Sequence, residues 1–99
     1  MDTVGAVNMI ARFEARDGMA HLLKSRLQEM VRLTLVEPGC VRYELYQLED
    51  APSKQLLIEQ WASQRSLDKH METDHVRALV SDLPSLMSSD IDIVRLWRL

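Results

Sequence analysis

The sequence has almost no cysteine, no long apolar run and no excess of basic residues. Its single cysteine, Cys40, excludes an intrachain disulfide and fits a reducing compartment. No apolar stretch approaches the ~20 residues that cross a bilayer as a helix. Twelve Lys and Arg stand against 15 Asp and Glu, for a net charge of −3. With no basic run either, the chain lacks the electrostatic footprint of a nucleic-acid binder. Met1 to Met9 contains Asp2 and no basic cluster, so no signal peptide is expected there. Repeats, low-complexity tracts and linkers are absent. The expectation is a cytoplasmic protein with neither a nucleic-acid nor a membrane partner.

What is present points to a small globular domain. The 99 residues read as one domain, 1–99. Composition is 46% hydrophobic and 27% charged, in the ordinary globular range. A chain this short buries only about two-thirds of the surface its unfolded form exposes. A second subunit would bury more.

Patterning divides the chain. Val4 to Ala15 reads as a strand, with Val7, Met9, Ala11 and Phe13 on one face and Asn8, Ile10, Arg12 and Glu14 on the other. Asp17-Gly18 is a turn signal. Met19 to Val36 reads as a helix whose buried stripe is Met19, Leu22, Leu23, Leu27, Met30, Val31 and Thr34. Pro38 disfavours helical geometry at Glu37 and stops it. Cys40 to Leu48 is a second strand, with Val41, Tyr43 and Leu45 on one face and Arg42, Glu44 and Tyr46 on the other. Residues 49–53 form a loop, and Lys54 to Trp61 is the third strand. Ser63 caps a short helix through Glu72, and Thr73 caps another with Asp74 in its first turn. Val76, Leu79, Val80 and Leu83 of that helix face inward, and Pro84 ends or kinks it. Asp90 to Arg98 is the last strand.

The order is β-α-β-β-α-α-β, an α+β pattern of the ferredoxin-like split βαβ kind. Helices cover one face of such a sheet. The strands here carry apolar residues on both faces, Leu56 and Ile58 opposing Leu57 and Trp61. A variable edge strand would explain this blandly. Sheet-against-sheet packing of two copies explains it better, because a bare apolar face is a sticky patch.

Three segments carry a family resemblance. They are Glu37-Pro38-Gly39-Cys40-Val41-Arg42-Tyr43-Glu44-Leu45, then Ile58-Glu59-Gln60-Trp61-Ala62-Ser63, then Leu67-Asp68-Lys69-His70-Met71-Glu72-Thr73-Asp74-His75 ahead of Leu83-Pro84-Ser85-Leu86-Met87. In this order and spacing they resemble the antibiotic biosynthesis monooxygenase domain, in its quinol-monooxygenase-like subgroup. The resemblance implies a dimeric α+β barrel. It implies less about reaction. Similar proteins include cofactor-free oxygenases of quinols and polyphenols, haem-degrading enzymes and an isomerase of a phosphorylated signalling sugar.

The resemblance nominates site residues. Trp61 matches the family tryptophan; its ring could stack on a planar substrate or simply pack in the core. His70 falls at the family histidine position, where imidazole could take a phenolic proton; the alternative is a surface or core histidine. His75 follows a helix N-terminus, which disfavours its cationic form. Tyr43 and Glu59 match family positions on adjacent strands and could orient a substrate hydroxyl or a histidine, or could be structural partners. Arg77, counted back from Leu83-Pro84, aligns with an arginine that could stabilise an enolate or phenolate; a solvated helix arginine is the alternative. Leu57 stands where polyketide oxygenases of the family carry asparagine, a departure that counts against that activity.

Other chemistries fit poorly. His70, His75 and Glu59 are metal-ligating types, but a spacing of five straddles a helix break and no third ligand is set by pattern, so no metal is expected. The haem pattern is absent: the family asparagine falls near Ala11 rather than Asn8, and the tryptophan and histidine positions hold His70 and Val80. No basic residue precedes Cys40 to activate it as a nucleophile. The expectation is therefore a cofactor-independent homodimeric monooxygenase of a small quinol or polyphenol, using O2. His70 would be the base, with Trp61, Tyr43 and His75 beside it and Glu59, Arg77 and Leu57 lining the pocket. The alternatives are isomerisation of a small phosphorylated keto-sugar and a non-catalytic aromatic-binding stress module.

Overall fold

The computed structural model describes residues 5–99. Val4, expected to begin the first strand, lies outside them. The elements run β1 (Val7–Glu14), α1 (Ala20–Thr34), β2 (Cys40–Leu48), β3 (Ala51–Trp61), α2 (Gln64–Met71), α3 (Asp74–Leu86) and β4 (Asp92–Leu96). The four strands form one antiparallel sheet in the order β2-β3-β1-β4. This is the ferredoxin-like α+β arrangement. No helix among the described residues is long and apolar enough to cross a membrane.

Alternation along β1 sets the two faces. Val7, Met9, Ala11 and Phe13 are buried against the helices, and across the ladder they meet Trp61, Glu59, Leu57 and Gln55 of β3. From above, α1 contributes Leu23, Leu27, Met30 and Thr34, and α3 contributes Val76, Leu79, Leu83 and Leu86. No helix among the described residues covers the opposite face. There Ile10 pairs with Ile58 and Val94, all half-buried, beside half-buried Leu56 and exposed Tyr46 and Leu96.

Several boundaries differ from the sequence reading, each for a local reason. The loop expected over 49–53 shrinks to Glu49-Asp50, because Ala51 already pairs with Leu48. An irregularity between Gln47 and Leu48 absorbs Pro52, which has no N–H for a regular ladder. A second register shift between Cys40 and Arg42 leaves Val41 exposed rather than beside Tyr43. Leu22 and Val80 sit at the solvent edges of their helices, about half exposed. Pro84 lies within the last turn of α3 without ending it. Its missing N–H removes one bond near the helix end, and the Arg16 guanidinium donates to its carbonyl. The last strand is Asp92–Leu96, shorter than the stretch from Asp90 to Arg98.

Both short-helix caps are present. Ser63 Oγ accepts from the Ser66 amide and Thr73 Oγ1 from the Val76 amide. The break between α2 and α3 is held by the His70 carbonyl, which accepts from both the amide and the hydroxyl of Thr73. This junction lies over the end of the sheet where β3 finishes at Trp61.

Candidate active site

Five chemistry-bearing side chains converge where the α2–α3 junction meets the sheet. Tyr43 and Glu59 face each other across β2 and β3. Trp61 is two residues further along the same face of β3, fully buried, and its indole N–H donates to Glu59 Oε1 at 2.9 Å. The His70 ring lies tilted on Trp61, centroids 4.5 Å apart, with the Tyr43 ring edge-on at 5.6 Å. His75 is 6.0 Å from His70. In a continuous helix, residues five apart point about 140° away from each other. The break after Met71 is what lets these two imidazoles converge.

A carboxylate joins them, and it is Glu37. Its Oε2 lies 2.9 Å from His70 Nδ1 and 2.6 Å from His75 Nε2. A carboxylate accepting both bonds takes the hydrogen of each of those ring nitrogens, and a neutral His70 then keeps its lone pair on Nε2. Glu37 occupies the short connection between α1 and β2. Its amide bonds back to the Thr34 carbonyl, and its own carbonyl accepts from Cys40. Gly39 turns the chain with φ +84°, and its carbonyl accepts from the Ala62 amide, tying this connection to the end of β3.

Burial sets the protonation states. Desolvation lowers the His70 pKa below the ordinary imidazole value, against the Glu37 hydrogen bond and charge that would raise it. Burial raises Glu59, opposed by the Trp61 N–H and reinforced by the charge of Glu37. Burial, with the charge of Glu59, raises the Tyr43 phenol so that it stays protonated. Cys40 is pushed up to about 11 by burial and the charges of Glu37 and Glu59, and is a thiol rather than a thiolate at neutral pH.

The residues nominated from the sequence separate into two groups. Tyr43, Glu59, Trp61, His70 and His75 come together. Arg77 and Leu57 do not join them. Arg77 is exposed on α3. Leu57 is buried one row along the sheet, between Ala11 and Leu45, as a core residue. Trp61 presents no free surface for stacking on a substrate, because it is 0% exposed and its ring neighbour is His70. The carboxylate beside the histidines is Glu37, not Glu59. Sequence reasoning missed it because its partners lie 33 and 38 positions away, beyond any periodicity. Its one signal was its place at the head of the Glu37-Pro38-Gly39 turn.

Of the two histidines, His75 is the one that borders a cleft. A cleft of about 420 Å³ opens between α1 and α3, with Met30, Leu33 and Ala78 as apolar walls and His75 on its lining. Chemically the arrangement offers a desolvated neutral imidazole whose tautomer and orientation are set by a carboxylate. A second imidazole on the same carboxylate borders open space.

Comparison with known proteins bears on the fold and the family. A family model described as antibiotic biosynthesis monooxygenase matches residues 6–82. A protein of Mycobacterium tuberculosis named "Putative monooxygenase" is 35% identical over 80 residues, covering 78% of each chain. A Bacillus subtilis protein of the same name is 27% identical over 71 residues, covering 72% of this chain and 75% of the relative. The crystal structure of a Pseudomonas aeruginosa protein, 28% identical, superposes with a TM-score of 0.90 over 96% of this chain and 95% of that one.

Proposed function

The chain belongs to the antibiotic biosynthesis monooxygenase family, and from that premise we propose that it oxidises a small quinol or polyphenol with O2 without a cofactor, using a histidine as base. The observation that carries this reading is the Glu37 carboxylate bridging His70 and His75 beside the buried Trp61. His70 is the base. Burial keeps it neutral near pH 7, and Glu37 fixes its proton on Nδ1, so Nε2 is free to accept. Trp61 and Tyr43 hold the ring in place. His75, on the cleft, bonds a substrate hydroxyl.

The chemistry balances without an external reductant. Loss of a proton to His70 leaves an electron-rich carbanion, which gives its electrons to O2 and forms a C–O bond. The imidazolium returns the proton to the peroxide. Loss of water then leaves a carbonyl. One oxygen atom enters the product and one enters water, and the substrate supplies both electron pairs.

The protein acts in this reading as a homodimer, two copies packing the helix-free faces of their sheets. Half-buried Ile10, Leu56, Ile58 and Val94 support that arrangement. The isomerase alternative needs a cation for its phosphate: Arg77, expected there, is exposed on α3, and Arg26, which lines the cleft, is paired with Asp82.

The test is oxygen uptake by metal-stripped protein over a panel of reduced quinols. Uptake above autoxidation is expected, with His70→Ala losing about 10²- to 10⁴-fold in kcat and His75→Ala raising KM. Uptake that survives His70→Ala would remove His70 as the base. Binding of aromatics with no uptake would leave a sequestering module.

A further inference from the structure

The bridged histidine pair has a second chemical capacity. One donor atom from each of Glu37, His70 and His75 lies within 4.8 Å of the other two, and Glu37 Oε2 faces His70 Nδ1 and His75 Nε2. Two neutral imidazoles and a carboxylate make a donor set suited to zinc and similar divalent ions. A four-coordinate ion with bonds of ~2.0–2.1 Å holds its donors about 3.3 Å apart. The present separations from Glu37 Oε2 are 2.9 and 2.6 Å, so an opening of less than an ångström admits the ion. The three donors come from the α1–β2 connection, the end of α2 and the start of α3, so a bound ion would pin the break that brings the histidines together.

We infer that Glu37, His70 and His75 form a binding site for one divalent ion of the zinc kind, and that the ion switches the base off. Inhibition follows from the tautomers. In the metal-free chain, hydrogens on His70 Nδ1 and His75 Nε2 point at Glu37. An ion needs the lone pairs on those same atoms. Each neutral imidazole must then carry its hydrogen on the other nitrogen, His70 on Nε2 and His75 on Nδ1. Those are the atoms that would otherwise accept a proton. The ion also claims the Glu37 charge that would stabilise an imidazolium. Among the described residues no further His, Cys, Asp or Glu joins the group, so water would complete the shell. The inhibitory part rests on His70 being the base, as proposed above. The binding part does not.

The experiment uses untagged, metal-stripped full-length chain. It is titrated with Zn²⁺ by calorimetry and with Co²⁺ by visible absorption. One ion per chain is expected, with the intense d–d bands of a four-coordinate site. His21→Ala, at the exposed third histidine on α1, keeps both signals. His75→Ala and Glu37→Gln weaken binding at least tenfold and lose the bands. Far-UV circular dichroism confirms that both variants are folded, and His75→Gln replaces either one that is not. Oxygen uptake falls in proportion to the zinc bound and returns on chelation. Failure to take up one ion, or equal binding by the His75 and Glu37 variants, overturns the site. Uptake undiminished by site-bound zinc overturns the switch. Zinc bound as described in a metal-free protein that never consumes oxygen supports the site and defeats the oxygenase reading instead.

Discussion

Glu37 is the residue on which the orientation of both histidines depends. Glu37→Gln keeps the shape but removes the charge and allows the side chain to flip. We expect kcat to fall by about tenfold to a hundredfold, in the range typical for a group that orients a histidine. Steady-state oxygen uptake checks this, and an unchanged kcat would mean that the bridge is structural. The pH profile carries a sign. His70 is lowered by burial from the ordinary 6.5. So kcat/KM should rise with pH through a midpoint below that value and be flat by neutrality. The stability contributed by His70 has the matching sense, whole above the ordinary imidazole pKa and lost as pH falls through the folded one. Glu59 runs the other way. Burial raises it from 4.5, so its contribution is whole below that value and lost as pH rises through the folded pKa. Glu59→Gln still accepts the Trp61 N–H. It should raise Tm at about pH 8 and do less at about pH 4, as thermal melts would show. At this scale the sequence was half legible. Trp61, His70, Tyr43 and Glu59 were nominated by the family resemblance, while the direction in which the histidines point was not readable. Glu37 sits in a turn, where no period exists to assign its direction.

At the scale of elements, the site depends on where two short helices start and how one loop turns. Ser63→Ala or Thr73→Ala removes a cap from α2 or α3. Each should cost about 1 kcal/mol in chemical denaturation. Gly39 is the more severe case. Its φ of +84° is left-handed, and an added Cβ would come 2.1 Å from Ser66 Oγ in the first turn of α2. Gly39→Ala should destabilise by more than ~1 kcal/mol. It should also displace α2, and His70 with it, so activity falls further than stability alone explains. Wild-type kcat in a folded Gly39→Ala protein would contradict that link. The caps were readable from the sequence because Ser and Thr before a helical run satisfy its free amides in a local, residue-by-residue way. The exposed Val41 was not readable, because a bulge depends on the register with β3 rather than on β2 alone. Val80 shows the same limit, being apolar and adjacent to the buried stripe of Val76, Leu79 and Leu83 but about half exposed.

For the whole molecule, the helix-free sheet face is the feature that asks for a partner. The cross-sheet row Ile58–Ile10–Val94 lies near its centre. Ile58→Glu would place a charge there. We expect light scattering to give a dimer for the wild type and half that mass for the variant, with little change in the protomer's circular dichroism. A wild-type monomer at micromolar concentration would remove the sheet-packed dimer. The overall topology was legible from alternating strands and amphipathic helices in order. The proposed dimer rests on an inconsistency, apolar residues on a face that no helix among the described residues covers. Beneath all of this lies the claim that the chain is an oxygenase. The most direct test is mass spectrometry of the product formed by metal-stripped protein from a reduced quinol under isotopically heavy dioxygen. One heavy oxygen atom is expected in each product molecule and the other in water, with both lost in His70→Ala. An unlabelled quinone accompanied by hydrogen peroxide would contradict it, and would make the protein an oxidase that only removes electrons.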